Sequence, residues 1–413
     1  MLRRTALSRV SSIRRRTFHC SAIELSDFSH VVIGGGICGV AIASELQEIS
    51  GNNVLLVEKH ATLGTETTSR NSEVIHAGLY YPEDSLKSKL CIKGKEKIYD
   101  TFLRKNTSSI EVALKNCGKW IMAQDSDEED YLEKVRLNTN RIGVPTYFVS
   151  SKEVQKKFPL IKGKLILESP TTGIISAHDL VLFFQANFEN NEGTLGLNTE
   201  LFDLDFNSSI PNYTLSLKEK DSNEAFEITT DNVINSGGLY APKIANMLLP
   251  KDKHYGSHFA KGTYFSYQPS VPIKSNQITD KLLYPCPNPN ASSLGTHLTF
   301  DLGGQIKFGP DIEWLDVFDA DEIDYTASFN NIEDAYKAIS RYIPSLKEGE
   351  LEPSYVGVRP KVSNREESKQ CFHDFHIKEE KGYPGFVNLI GIESPGLTAA
   401  WAIAEHVKDI FHR

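Results

Sequence analysis

What the chain lacks narrows it first. Its six cysteines, at 20, 38, 91, 117, 286 and 371, form no C-x-x-C pair and no His/Cys cluster at zinc spacing. That argues against a disulfide scaffold and against a bound structural metal. No G-x-S-x-G elbow, H-E-x-x-H helix or phosphate-loop lysine occurs, so the usual apparatus of a serine hydrolase, a zinc protease or a P-loop enzyme is missing. No apolar run reaches bilayer length; the longest, Val31 to Ala43, is short and interrupted by glycines. No internal repeat is evident.

Acid is missing from one stretch. Met1 to Ala22 carries six arginines and four serines, and the first carboxylate is Glu24. An arginine-rich, acid-free start is the pattern of a mitochondrial targeting segment, expected over residues 1–24. Setting the six arginines aside leaves 39 basic against 54 acidic residues, a formal charge of −15. So acidic a body, with no basic stripe, argues against nucleic acid as a partner. An anionic substrate must then be held by a few placed cations.

What is present begins at residue 29. Ser-His-Val-Val-Ile runs into Gly34-x-Gly36-x-x-Gly39, and a second apolar strand, Asn53–Val57, ends on Glu58. Each part has its own task in holding a dinucleotide. Gly34 allows a sharp turn, Gly36 a close approach to a pyrophosphate, and Gly39 tight helix–strand packing. The helix N-terminus offers N–H groups to phosphate, and Glu58 can accept from ribose hydroxyls.

Two further junctions of strand, glycine turn and helix follow, at Thr230–Tyr240 and Phe386–Ala400. Between them, residues 246–350 are rich in proline, tyrosine and alternating strands, which predicts an antiparallel layer. The expected fold is α/β: a Rossmann-like FAD-binding domain interleaved with an α+β substrate domain on an antiparallel sheet. Residues 25–100, 170–245 and 351–413 would form the first, and 101–169 and 246–350 the second. Three separate junctions aimed at one ligand suit a cofactor as long as FAD.

Two stretches are more specific than the glycine triplet. Thr67-Thr-Ser-Arg-Asn-Ser-Glu-Val-Ile-His-Ala-Gly-Leu-Tyr-Tyr81 precedes Leu86-Lys-Ser-Lys-Leu-Cys-Ile-Lys-Gly94. Val356-Gly-Val-Arg-Pro-Lys361 precedes Asn388-Leu-Ile-Gly-Ile-Glu-Ser-Pro-Gly-Leu-Thr398. With them the chain, from residue 28 onward, resembles the L-2-hydroxyglutarate dehydrogenase/oxidase family, FAD-dependent members of the D-amino-acid-oxidase-like superfamily. The resemblance implies that Thr68, Ser69 and Asn71 wrap the cofactor, with Lys59 beside Glu58. It places Leu201 against adenine, Gly237 in a supporting turn, and Gly391, Gly396 and Leu397 at the flavin's pyrimidine edge. A helix N-terminus there would also stabilise the negative charge of reduced flavin.

Glu73 departs from the glycine that many members of the family carry. Turned into the site it would repel a dicarboxylate; the other reading has it facing away or paired with Arg70.

Oxidising a 2-hydroxy acid requires a cation for the carboxylate, a base for the hydroxyl proton and an acceptor for hydride. Arg359, a bidentate fork stiffened by Pro360, is the candidate clamp. His76 is the first candidate base and His297 the second. Lys261 is a candidate second cation, and Tyr80 and Tyr81 candidate pocket walls. The expected reaction is oxidation of an L-2-hydroxy acid, L-2-hydroxyglutarate foremost, to the 2-oxo acid. Oxygen, a quinone or an electron-transfer flavoprotein would then take the electrons. An amino acid, an N-methyl amino acid or glycerol 3-phosphate is the alternative substrate class, and a non-catalytic mitochondrial assembly factor the alternative role.

Overall fold

A computed structural model describes residues 26–287 and 295–412; the expected targeting segment lies outside them. The glycine-rich motif folds as read. Strand β1 (Phe28–Ile33) enters helix α1 (Ile37–Gln47), and strand β2 (Val54–Val57) returns beside it, parallel and in register His30 to Val54. Residues 30–33 of β1 and all of β2 are buried, so they show continuous apolar runs in place of alternation. Helix α1 is apolar on every side because it too is enclosed. The helices Ala177–Asn190 and Gly396–Phe411 pack on it, and a cluster of Phe102, Phe183, Phe184 and Trp401 fills the space beyond.

The glycines are fixed by sterics. Gly34 has φ +98°, and a Cβ on Gly39 would stand 1.9 Å from the Gly34 carbonyl oxygen. No side chain fits there.

The first sheet has eight strands. Its parallel centre is β2, β1, Ala225–Asn235 and Phe386–Ile390, with Thr194–Gly196 parallel at the β2 edge. The pair Thr199–Asn207 and Asn212–Glu219 and the strand His376–Glu379 extend it in antiparallel fashion. Chain segments separated by more than 150 residues therefore meet at the carboxyl ends of the parallel strands, where ligands of such sheets bind.

The second sheet differs from expectation in two respects. It has nine strands and is mixed, because Leu282–Pro285 pairs parallel with Lys119–Ala123. Moreover Leu351–Lys361, assigned from sequence to the nucleotide-binding part, runs antiparallel to His258–Tyr267 along ten paired positions. The segment carries Pro353 and Pro360. As an edge strand it does not need every N–H for the ladder, so both prolines are tolerated. A small three-stranded sheet of Val74–Ile75, Gly173–Ile175 and Leu114–Lys115 completes the set.

Candidate active site

A cavity of about 640 Å³ lies between the two large sheets, lined by residues from all three glycine junctions and from the second sheet. Its walls include Gly34, Gly36, Glu58, Lys59, Thr68, Asn71, Leu201, Gly237, Gly396 and Leu397, ten of the residues expected to hold the cofactor. The Thr68 hydroxyl accepts from the Ile37 N–H at the start of α1, at 3.0 Å. Glu58 accepts from the Gly35 N–H (2.7 Å) and the His60 N–H (2.9 Å), and so braces the glycine turn as well as facing the cavity. Lys59 lies over the Tyr240 ring, 3.3 Å from its centre.

Asn71 shapes its own loop. Its amide donates to the Thr68 carbonyl (2.6 Å), and its oxygen accepts from the Glu73 N–H (2.8 Å).

Three expected cofactor residues do not line the cavity. Gly39 is spent on packing, as its place in the motif implies. Ser69 donates to the Thr65 and Glu66 carbonyls, closing a 3₁₀ turn. Gly391 has φ +70°, and a Cβ there would strike Val362 at 2.2 Å, so its role is close packing. Lys261 is also turned away, its ammonium donating to the Thr326 carbonyl at 2.9 Å. On a strand, side chains alternate between faces, and the cavity face at this point belongs to its neighbours.

Glu73 is turned away too. Its carboxylate accepts from the Ala177 N–H at 3.0 Å, on the first residue of the Ala177–Asn190 helix. Arg70 forms no ion pair with it among the described residues; its guanidinium lies over the Tyr325 ring, and its Nε has no partner. Glu73 also has φ +55°, a conformation that glycine adopts without strain. Glu73→Gly should therefore relieve about 1 kcal/mol of backbone strain while losing a helix-end contact of about the same size. Thermal unfolding is expected to shift by only a few degrees, and substrate affinity to stay as it is. A large change in affinity would place the carboxylate in the site after all.

His76, Tyr80, Tyr81, His297 and Arg359 all line the cavity. Burial holds His76 at a pKa of about 3, with Lys119 and His297 adding to the effect. Its Nε2 is 3.3 Å from the Ser394 hydroxyl. His297 is likewise held at about 3 by burial, against a backbone contact and with help from Lys119 and Arg359. Both imidazoles are neutral at pH 7.

The His297 ring stacks on Tyr284, centres 4.0 Å apart, and its Nδ1 is 3.0 Å from the Gly295 carbonyl. A carbonyl only accepts, so Nδ1 carries the proton and Nε2 the lone pair. That Nε2 is buried and has no partner among the described residues. On Arg359, among the described residues, Nη1 is buried without a partner and Nη2 reaches only the Asp311 carbonyl, at 3.5 Å.

Sequence reading missed two features. Glu393 lies between Lys87 (3.1 Å) and Lys361 (2.7 Å) on the cavity wall, and the two ammonium groups bring its carboxyl down to about 2 in spite of burial. All three residues fall inside the quoted motifs, but their meeting depends on tertiary structure. Lys119 is only 1% exposed, behind Tyr80. The one signal in the sequence was a lysine opening the apolar strand Lys119–Ala123.

Comparison with known proteins gives the geometry a context. A family model described as FAD dependent oxidoreductase matches residues 29–410. The mitochondrial L-2-hydroxyglutarate dehydrogenase of Arabidopsis thaliana is 36% identical, over 93% of this chain and 83% of that protein. A glycerol 3-phosphate dehydrogenase of Caloramator mitchellensis is 30% identical over 93% of this chain and 73% of that one. Among solved structures, the dithionite-reduced L-alpha-glycerophosphate oxidase of Mycoplasma pneumoniae with FAD bound superimposes with a TM-score of 0.78. It is 22% identical, and the match covers 94% of this chain and 95% of that one. The residues present fit the same cofactor: a glycine cradle closed to side chains, a helix N-terminus, Glu58 and an unpartnered buried Arg70 Nε share one cavity.

Proposed function

Because this chain belongs to the family of FAD-dependent oxidoreductases, we propose that it oxidises an L-2-hydroxy acid, with L-2-hydroxyglutarate the preferred substrate, to the 2-oxo acid. One observation carries the reading. Arg359 Nη1 and His297 Nε2 are buried in the same cavity with no partner among the described residues, close enough for the arginine's charge to act on the imidazole. Buried polar atoms are seldom left without partners, and a ligand bearing a carboxylate beside a hydroxyl would satisfy both.

Arg359 holds the carboxylate, which fixes the neighbouring carbon in the cavity. His297 Nε2 accepts the hydroxyl proton. The substrate's own negative charge raises the affinity of that imidazole for a proton, offsetting the burial that keeps it neutral beforehand. His76, tied to Ser394, positions the substrate opposite His297. Bound FAD supplies the two-electron acceptor for the hydrogen on the same carbon. Thr68, Asn71, Glu58, Leu201 and the glycine turn, which line one cavity, would hold FAD.

With Glu73 facing away, nothing in its placement opposes a second carboxylate. A mitochondrial address, read from the arginine-rich start, is in keeping with the name of the Arabidopsis relative. No described helix is long and apolar enough to cross a membrane.

The test is an anaerobic panel read by bleaching of the flavin: both enantiomers of 2-hydroxyglutarate, monocarboxylic 2-hydroxy acids, amino acids and glycerol 3-phosphate. The last belongs there because of the 30% identical Caloramator protein. Rapid bleaching by the L-dicarboxylate with release of 2-oxoglutarate is expected. Bleaching by glycerol 3-phosphate or an amino acid alone would overturn the assignment.

A further inference from the structure

Lys119 is the most conspicuous buried cation that the mechanism above leaves unused. Its side chain is 1% exposed, and no carboxylate forms an ion pair with it among the described residues. Its ammonium lies 4.3 Å from the centre of the Tyr284 ring and 4.9 Å from that of Tyr80, with the Tyr80 hydroxyl at 3.5 Å. Aromatic faces attract a cation but do not replace water or an anion, so a dry ammonium held this way is costly.

We propose that Tyr80 and Lys119 form the subsite for the substrate's second, distal carboxylate, Tyr80 touching it and Lys119 charging the phenol from behind. The proposal rests on the function argued above. Three observations support it. Tyr80 lines the cavity with His76, His297 and Arg359, whereas Lys119 lies one side chain behind. Burial keeps the phenol protonated, so its hydroxyl is free to donate to an anion while it accepts from the ammonium. Lastly, Lys261, the sequence-based candidate for this task, is turned away to the Thr326 carbonyl.

The charge on Lys119 is conditional. Burial brings its amine down to about 7. The groups facing it are Tyr80 and His76 from the loop before residue 86, Cys91 from the Leu86–Tyr99 helix, and Tyr284 and His297 from neighbouring strands. From the strand on its other side Ser169 stands opposite, and Glu168 is turned to Trp120 and Lys281. Among the described residues, therefore, no carboxylate holds the proton on Lys119. A dicarboxylate does so when bound, and should bind less well as pH rises through about 7.

The experiment compares L-2-hydroxyglutarate with L-2-hydroxypentanoate, the same carbon chain without the second carboxylate, on FAD-loaded wild type, Lys119→Met and Tyr80→Phe. Both acids share one base and one clamp, so the ratio of their kcat/KM values isolates the distal group. The preference for the dicarboxylate is expected to fall at least tenfold in each variant, mainly through KM. In wild type it should decline above pH 7, and in Lys119→Met that decline should vanish. Methionine fills the lysine's place without a charge, and such replacements are tolerated in buried sites; if that variant fails to hold FAD, Tyr80→Phe decides. An unchanged preference, or an equal loss for both acids, would overturn the proposal. Failure of every 2-hydroxy acid to bleach the wild type would overturn the function itself and this inference with it.

Discussion

His297→Asn is expected to slow flavin reduction by L-2-hydroxyglutarate by about 10²–10⁴-fold, the usual worth of a positioned general base. The same change at His76 should cost less, because its Nε2 is already engaged with Ser394. The pH dependence separates the roles further. An exposed imidazole would give kcat/KM an acid limb near its ordinary value of about 6.5. Burial lowers the free enzyme's His297 to about 3, so it stays neutral and competent well below pH 6. The profile measured by anaerobic stopped flow should therefore be flat from about pH 5 to 7. A histidine limb near 6.5, or a His297→Asn rate close to wild type, would remove His297 from the chemistry.

Arg359→Ala should lower kcat/KM for every 2-hydroxy acid by about 10²–10³-fold, as expected when one member of a desolvated charge pair is removed, about 3–4 kcal/mol. Flavin content should remain, since the residues that brace the glycine turn lie on other segments. Arg359→Lys should recover only part of the loss, for lysine keeps the charge but not the planar fork. Equal turnover by the alanine variant, with full flavin, would show that the carboxylate is held elsewhere.

The cofactor half of the site was legible because glycine and acid at fixed spacing act through local backbone geometry: Gly34, Gly39 and Glu58 need only their own strand–turn–helix unit. The substrate half was less so. Arg359 was picked out from its motif, yet its segment was assigned to the nucleotide-binding part, because its pairing with His258–Tyr267 depends on residues far off in sequence. Lys261 and Lys119 show the limit most clearly. Both are lysines on strands of the second sheet, and sequence favoured the first. Which face of a strand meets a cavity is set by register with distant neighbours, here Val358 opposite Lys261 and Ser169 opposite Lys119. The carboxylate of Glu73 was undecidable for the same reason, since its partner lies 104 positions away.

The edge strand Leu351–Lys361 is stitched to the cofactor loop at three successive points. Tyr355 donates to the Asn71 carbonyl, a Cβ on Gly357 would lie 2.0 Å from the Arg70 carbonyl, and Thr67 donates to the Val358 carbonyl. Arg359 is the next residue along. The loop proposed to hold FAD thus fixes the height at which the proposed carboxylate clamp stands, and two ligands that read the same scaffold are thermodynamically linked. Flavin should raise the protein's affinity for the 2-oxo acid, and the acid should raise its affinity for flavin by the same factor. A cell rich in that 2-oxo acid would then keep its enzyme charged with coenzyme.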